Sequence, residues 1–451
     1  MSGLPPSFQY YVNALGAGIE RNSVRIVPDN GETASNNSSI TFTLPSDAVV
    51  DLNSLQFTAT LRTKNAVAAT ASVAVPQSHS LFRSVQWSLN GNVICGNNNQ
   101  NFGQVYEALR RATTDQADAE ARMSEYTDVP RPDSDGKFQA SKGLTATGHR
   151  IQHNDFHGIQ RCPNAGAWDT SVMGSTRLHL YLESDRIMLY ALDSSTQNVE
   201  WELASVEMRC DVLRVPPAID DILAARLAEG GTLDTVFPEI YAQVSSSDAN
   251  VRCSIASSSL DMIGFACLAS EYLSATSVAS TAGVVAANVT PYGPNYNRFK
   301  LQNTSNAVPG IDSTAEKYNF VINGRTYPAS GATPVVQGLE FTKDCFSKGV
   351  GEHNILFQGL FDADGSTLTR SLSYMRENAF ANNTMVFHKL CLTAPAHETA
   401  ERTLCGLNTQ GQSAAIQLQT QGLSTSDYLL IIGQTSAVLS AGAGQMVSVQ
   451  Y

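Results

Sequence analysis

The residues in this chain best placed to do chemistry are three histidines, His149, His153 and His157, in the run HRIQHNDFH. Their spacing of i, i+4 and i+8 would align three imidazoles on one face of a helix, as a metal site requires. Gly148 and Gly158 bracket the run, however, and the surrounding sequence is polar and aperiodic, which argues against a helix. Loop or interface histidines are therefore expected, with His149, His153 and His157 kept as the metal candidates. Asp362–Gly365 (DADG) opens like a calcium loop but lacks the later glutamate, so it reads as a turn. Glu200, Glu202 and Glu207 have the right type for a general acid and base pair, yet they lie on the polar face of a strand-like run. Gly442–Gly444 is too short to cradle a phosphate, and no GxSxG, HExxH, Walker-type or CxxC motif occurs. No catalytic residue and no cofactor is assigned, and the chain is not expected to be an enzyme.

The composition points the same way. Charged residues make up 16% of the 451 residues, below the roughly 25% usual in soluble domains. The formal net charge is −12 and no Lys/Arg-rich run is present, so sequence-specific or charge-driven nucleic-acid binding is not expected. No apolar run of about 18 residues and no secretory signal pattern is visible. The eight cysteines are scattered, several of them in apolar strand-like runs, which favours reduced, buried thiols and assembly inside a cell.

The elements that must position these residues read as β-strands. In Asn198–Pro217, Val199, Trp201 and Leu203 alternate with Glu200 and Glu202; Val206, Met208, Cys210 and Val212 then alternate with Glu207, Arg209 and Asp211. A period of two is a strand with one buried face, and the change of apolar parity at Ala204–Ser205 calls for a bulge or tight turn. Trp201 and Cys210 are expected to be buried. Ile40–Leu44, Leu55–Arg62 and Leu178–Leu182 are further strands, and Leu81–Ile94 is a hairpin turning at Asn90–Gly91. Phe102–Ser124 has helical periodicity, and Asp128–Thr170 reads as a long loop. Pro216–Pro217 leads a short helix that Gly230–Gly231 stops. Strand-like runs return at Val251–Ile255, Met262–Leu268, Tyr318–Asn323, Thr384–Leu392, Ala415–Leu418, Tyr428–Gly433, Ala437–Leu439 and Met446–Tyr451, with a helix at Val335–Phe346 and a polar excursion at Ser274–Thr314. The expected class is all-β, with two tandem sandwiches, short edge helices and long surface loops. The expected division is an N-terminal arm (1–38), a first sandwich (39–215), a connection (216–235) and a second sandwich (236–451).

Several stretches together resemble the double jelly-roll major capsid proteins of tailless icosahedral DNA viruses, in particular the polinton-like virus, adintovirus and virophage branch. They are Ser78–Phe82 with the Asn90–Gly91 turn and Phe102–Arg111; Trp201 with Val206–Asp211, including Cys210 and Asp211; YNFVINGRTYP, with Gly324, Tyr327 and Pro328, followed by Glu340 and Phe341; and CGLNTQG, with Gly406, Asn408, Thr409 and Gly411. The order and spacing of these motifs over about 80–451 carry the likeness. The charged turn residue expected near Gln410 is absent, and residues 1–75 and both excursions lie outside it.

The resemblance implies two eight-stranded jelly rolls and a homotrimeric, pseudo-hexagonal capsomer that meets neighbouring capsomers, penton and minor capsid proteins in a virion around a DNA genome. Contact with an internal membrane is compatible with it. It also implies that Asp128–Thr170 and Ser274–Thr314 are outward loops building the capsomer's towers, with the arm near the inner face. A minor capsid or spike protein of the same virion, or an extracellular β-sandwich acting as a carbohydrate-binding protein or glycosidase, are the alternatives. The latter needs exposed aromatics or a carboxylate pair.

Overall fold

The computed structural model of the protein describes residues 20–64, 78–96, 148–183, 200–215, 227–246, 250–268, 317–334, 336–345, 385–392, 404–410, 415–422 and 428–451, with a few isolated residues between these spans. Within them, β1 (Glu20–Ile26), β2 (Ser39–Thr43), β3 (Val49–Thr63), β4 (Phe82–Leu89), β5 (Asn92–Cys95), β6 (His149–His153), β7 (Thr176–Leu182) and β8 (Trp201–Arg214) come first. A second set follows: β9 (Leu233–Ser246), β10 (Asn250–Ser254), β11 (Leu260–Leu268), β12 (Lys317–Ile322), β13 (Arg325–Ala332), β14 (Val386–Lys389), β15 (Ala415–Gln421) and β16 (Tyr428–Gly442), closed by β17 (Met446–Gln450).

The first set forms the sheets β1-β8-β3-β6 and β2-β7-β4-β5. The second forms β9-β16-β11-β14 and β10-β15-β12-β13, with β17 alongside β16. All these pairings are antiparallel. Counted from the start of each set, the strand orders are identical: first-eighth-third-sixth in one sheet and second-seventh-fourth-fifth in the other. The repeat that sequence identity hides is therefore exact in topology, two sandwiches of jelly-roll order in tandem.

Alternation explains how each sandwich closes. In β8, Trp201 and Leu203 are buried ahead of the parity change and Val206, Met208 and Cys210 after it. The register with β3 skips between Ala204↔Thr60 and Glu207↔Thr58, and Ser205 sits at φ 51°. This bulge returns the apolar residues to the core side. A second skip follows between Arg209 and Asp211. Between the first pair of sheets, Phe57 meets Phe42 (ring centroids 6.2 Å apart) and Phe82 (5.6 Å) edge-on. In the second sandwich Phe265, Tyr318 and Phe320 form the corresponding cluster. Each sandwich turns its fourth strand into its fifth through Asn-Gly: Asn90 and Gly91 have φ of 50° and 85°, Asn323 and Gly324 of 50° and 75°. Positive φ at both positions is the type I′ requirement.

Four expectations need correction. Residues 20–26 belong to β1 and pair along β8 from Glu20↔Arg214 to Ile26↔Met208, so the stretch expected as an arm, 1–38, contains a strand of the first sandwich. As an exposed edge strand, β1 carries no strong apolar alternation. β9 starts at Leu233, inside the expected connection. The run Tyr428–Leu439 is part of one continuous strand, β16. Finally, residues 148–170 are not an outward loop: β6 pairs with β3, and Ile151, Phe156, Ile159, Cys162 and Trp168 are buried. The helix at Val336–Cys345 (α2, after a short α1 at Thr170–Met173) is present. Phe102–Ser124, the DADG turn, Gly411 and most of Ser274–Thr314 lie outside the described residues.

Candidate functional site: the seam between the two sandwiches

The outer face of β9 packs against the first sandwich. By the period of two, Thr235, Phe237, Glu239 and Tyr241 point one way and Ile240 and Ala242 the other, into the second core. Phe237 is fully buried in the seam face. On either side of it Thr235 is buried, and Glu239 reaches the end of β5. The Gly96 N–H donates to both carboxylate oxygens of Glu239, at 3.0 Å (Oε1) and 3.2 Å (Oε2). Gly96 has φ +89°, and a Cβ there would overlap the Val85 carbonyl oxygen, so this donor needs glycine.

Three further bonds extend the seam. Tyr451 Oη donates to the Ile94 carbonyl (3.0 Å). Asn90 Nδ2, in the first Asn-Gly turn, donates to the Gln445 carbonyl (3.2 Å), and Gln445 Nε2 donates to the Ser171 carbonyl in α1 (3.1 Å). Pro238 is tolerated in β9 because that strand is a sheet edge.

Burial dominates the electrostatics here. Glu239 is 2% exposed, and desolvation pushes its carboxyl up to about 7, against the opposing bonds from Cys95 and the Gly96 N–H. The groups that perturb or bond it are Cys95, Tyr241 and Tyr451, all neutral at pH 7; burial raises each of them as well. A carboxyl poised near neutrality at a domain contact can shift its proton in the physiological range.

The corresponding outer face of the first sandwich has the opposite character. Arg21 bridges Asp51 and Asp211 (3.0 Å to Asp211). Arg25 meets Glu207 (2.6 Å) and Glu32 (3.1 Å). Arg62 pairs with Glu202 (2.6 Å) and Lys64 with Glu200 (3.3 Å). Glu200, Glu202 and Glu207 are thus each ion-paired on a sheet surface rather than facing one another across a cleft. All three tryptophans of the chain, Trp87, Trp168 and Trp201, are buried, which leaves no tryptophan for stacking on a sugar.

The motif residues serve local structure. Cys210 is buried, with its thiol pushed up to about 11 by desolvation, and the Asp211 N–H donates to Ser54 Oγ (2.7 Å). Gly324 makes the second Asn-Gly turn; Tyr327 lies opposite Phe320 and is followed by a cis bond to Pro328. Gly406 packs on the start of β11, where a Cβ would come within 2.5 Å of the Leu260 carbonyl oxygen and 2.7 Å of Asp261 Oδ1. Thr409 Oγ1 donates to the Ile255 carbonyl (2.7 Å) and accepts from the Ser257 N–H (3.0 Å). The Asn408 carbonyl accepts from Asn323 Nδ2 (3.1 Å), so the Gly406–Thr409 turn is tied to the hairpin.

His149 and His153 lie on β6, and among the described residues no group of three His, Cys, Asp or Glu side chains is arranged to hold an ion. His153 is buried against Phe82 and Phe156, with Nε2 at 2.7 Å from the Asp155 carbonyl oxygen and Nδ1 at 3.2 Å from Ser78 Oγ; His157 is buried beyond the strand. One feature had no signal in the sequence. β14, the sixth strand of the second sandwich, also buries a histidine: His388 sits 2.6 Å from Tyr318 Oη among Phe320 and Phe341. Desolvation lowers its ring to about 4.

No family model and no curated protein matches the chain. Solved structures do. The PBCV-1 VP54 structure fitted into a reconstruction of the virophage Sputnik superposes with a TM-score of 0.61 at 11% identity, covering 96% of this chain and 97% of the other. The Faustovirus major capsid protein superposes with a TM-score of 0.52 at 10% identity, covering 94% and 91%. The chain has the double jelly-roll fold. A further match to the PBCV-1 capsid model, with a TM-score of 0.58 at 10% identity, covers 96% and 97% of the two chains. Within this double jelly roll, the seam joins the fifth strand of the first unit and the loop after its sixth to the first strand of the second.

Proposed function

We propose that the protein is a structural major capsid protein of an icosahedral DNA virus, located in the virion, and that it forms homotrimeric, pseudo-hexagonal capsomers. The observation that carries this reading is the identical strand order of the two sandwiches, set side by side through a seam that is not self-complementary. One chain then presents two similar wedges, and a threefold axis makes six of them, the shape needed to tile a hexagonal lattice. The likeness in fold to proteins described as a PBCV-1 capsid and a Faustovirus major capsid protein supports it. Each jelly roll is a unit of its own in this reading, the first from Glu20 to about 215 and the second from Leu233 onward. Neighbouring capsomers, penton and minor capsid proteins are the partners, assembly takes place in the host cell, and no catalytic role is assigned.

Size-exclusion chromatography with light scattering tests the reading. A trimer of the 48.3 kDa chain is expected; a persistent monomer at micromolar concentration overturns it.

A further inference from the structure

Two chain segments meet the start of β11 on consecutive residues. The Leu390 N–H donates to the Asp261 carbonyl oxygen (2.8 Å), and the Leu407 N–H donates to the Leu260 carbonyl oxygen (2.9 Å). The Leu260 N–H returns a bond to the Leu407 carbonyl. One segment arrives from β14 and the other opens the Gly406–Thr409 turn. Cys391 directly follows Leu390, and Cys405 lies two residues before Leu407. Two thiols from different segments are thereby gathered at one end of β11.

Their surroundings hold them there. The Gly406 N–H donates to Ser259 Oγ (2.9 Å), whose hydroxyl donates to Asp261 Oδ1 (2.8 Å), while Asp261 Oδ2 accepts from Ser436 (2.6 Å). Burial pushes the Cys391 thiol up to about 12, and the charges of Asp261 and Cys405 add to the rise, an effect that acts between near neighbours. Among the described cysteines all but Cys405 are buried. Cys405 is half-buried, beside the exposed Leu404. The rival partner for Cys391 is Cys345 at the end of α2, which is fully buried and donates to the Phe341 carbonyl (3.4 Å).

We propose that Cys391 and Cys405 are a redox modification site, at which a small-molecule disulfide converts the two thiols into one intramolecular disulfide. The Cys405 thiolate attacks one sulfur of the external disulfide and releases a small thiol. The Cys391 thiolate then attacks the Cys405 sulfur of the mixed disulfide and releases the second small thiol. Two protein thiols are oxidised, and the external disulfide takes up their two electrons and two protons. Few Cys391 thiolates are present at neutral pH, so the second step is the slower one. The new bond staples the Gly406–Thr409 turn to the end of β14. The site stays reduced in a glutathione-buffered cytosol and closes in an oxidising compartment. This chemistry does not depend on the capsomer reading; within that reading the staple forms after release from the host cell.

Incubation of the full native chain with oxidised glutathione at mildly alkaline pH tests the proposal, followed by acid quenching, alkylation of the unfolded chain and peptide mass spectrometry. The chain is expected to lose two of its eight thiols, with the peptides holding Cys391 and Cys405 joined. Cys391→Ser should instead carry one glutathione on Cys405, and Cys405→Ser should show neither adduct nor link at Cys391. Retention of all eight thiols, glutathione held on wild-type Cys405 without a link, or a link from Cys391 to Cys345 overturns the proposal. These three outcomes are read on the wild-type chain, so a variant that fails to fold does not obscure them.

Discussion

Glu239 and Gly96, 143 residues apart, meet across the seam with one backbone N–H shared between two carboxylate oxygens. The bond ties the jelly rolls together through a buried acid, and the acid makes the seam sensitive to pH.

Glu239 is expected to destabilise the protein as pH rises. Its folded-state value of about 7 lies above the ordinary 4.5, so between these values the native state holds a proton that the unfolded chain has lost. Stability is full below about 4.5 and falls as pH climbs through 7, by about 3 kcal/mol at 1.36 kcal/mol per unit. Glu239→Gln should flatten this slope in urea titrations at several pH values. An unchanged slope would remove Glu239 as its source.

His388 acts in the opposite direction. Its ring falls from 6.5 to about 4 on burial, so the unfolded state binds the extra proton between these values. Stability is complete above about 6.5 and is lost as pH falls through 4, again by about 3 kcal/mol. His388→Phe should weaken the acid limb of the thermal-melt profile; retention of the full acid limb would contradict the assignment.

Ser205→Gly should raise the melting temperature slightly. Ser205 holds φ 51° at the bulge of β8, a left-handed conformation that costs a side-chain residue about 1 kcal/mol more than glycine. A marked fall in melting temperature would show that the Ser205 side chain has a stabilising role of its own.

Much of this architecture was legible in the chain, and each failure has its own physical cause. The parity change at Ala204–Ser205 announced its bulge because one face of β8 is buried and the other polar. Asn90–Gly91 announced its hairpin by turn chemistry alone. β9 was missed because both of its faces are buried at the seam, which erases the alternation, and Pro238 and Glu239 interrupt it further. β1 was missed for the opposite reason, being exposed along nearly its whole length. The histidine spacing of four suited a helix, but a strand also returns to the same face after four residues. The seam itself left no mark in the sequence, since Gly96 and Glu239 gain meaning only from long-range pairing.

The CGLNTQG turn should be intolerant of small changes. Gly406→Ala brings a Cβ to 2.5 Å from the Leu260 carbonyl oxygen, an overpacking cost of about 1–3 kcal/mol. Thr409→Val leaves the Ile255 carbonyl and the Ser257 N–H without their hydroxyl, at about 1–3 kcal/mol. Chemical denaturation of both variants checks this; wild-type midpoints would contradict the packing described.

Electron microscopy of the purified protein tests the central claim most directly. The account predicts a threefold ring of six β-sandwiches, two from each chain, with alternating seams of two kinds. Isolated two-lobed particles, or a twofold dimer, would contradict it.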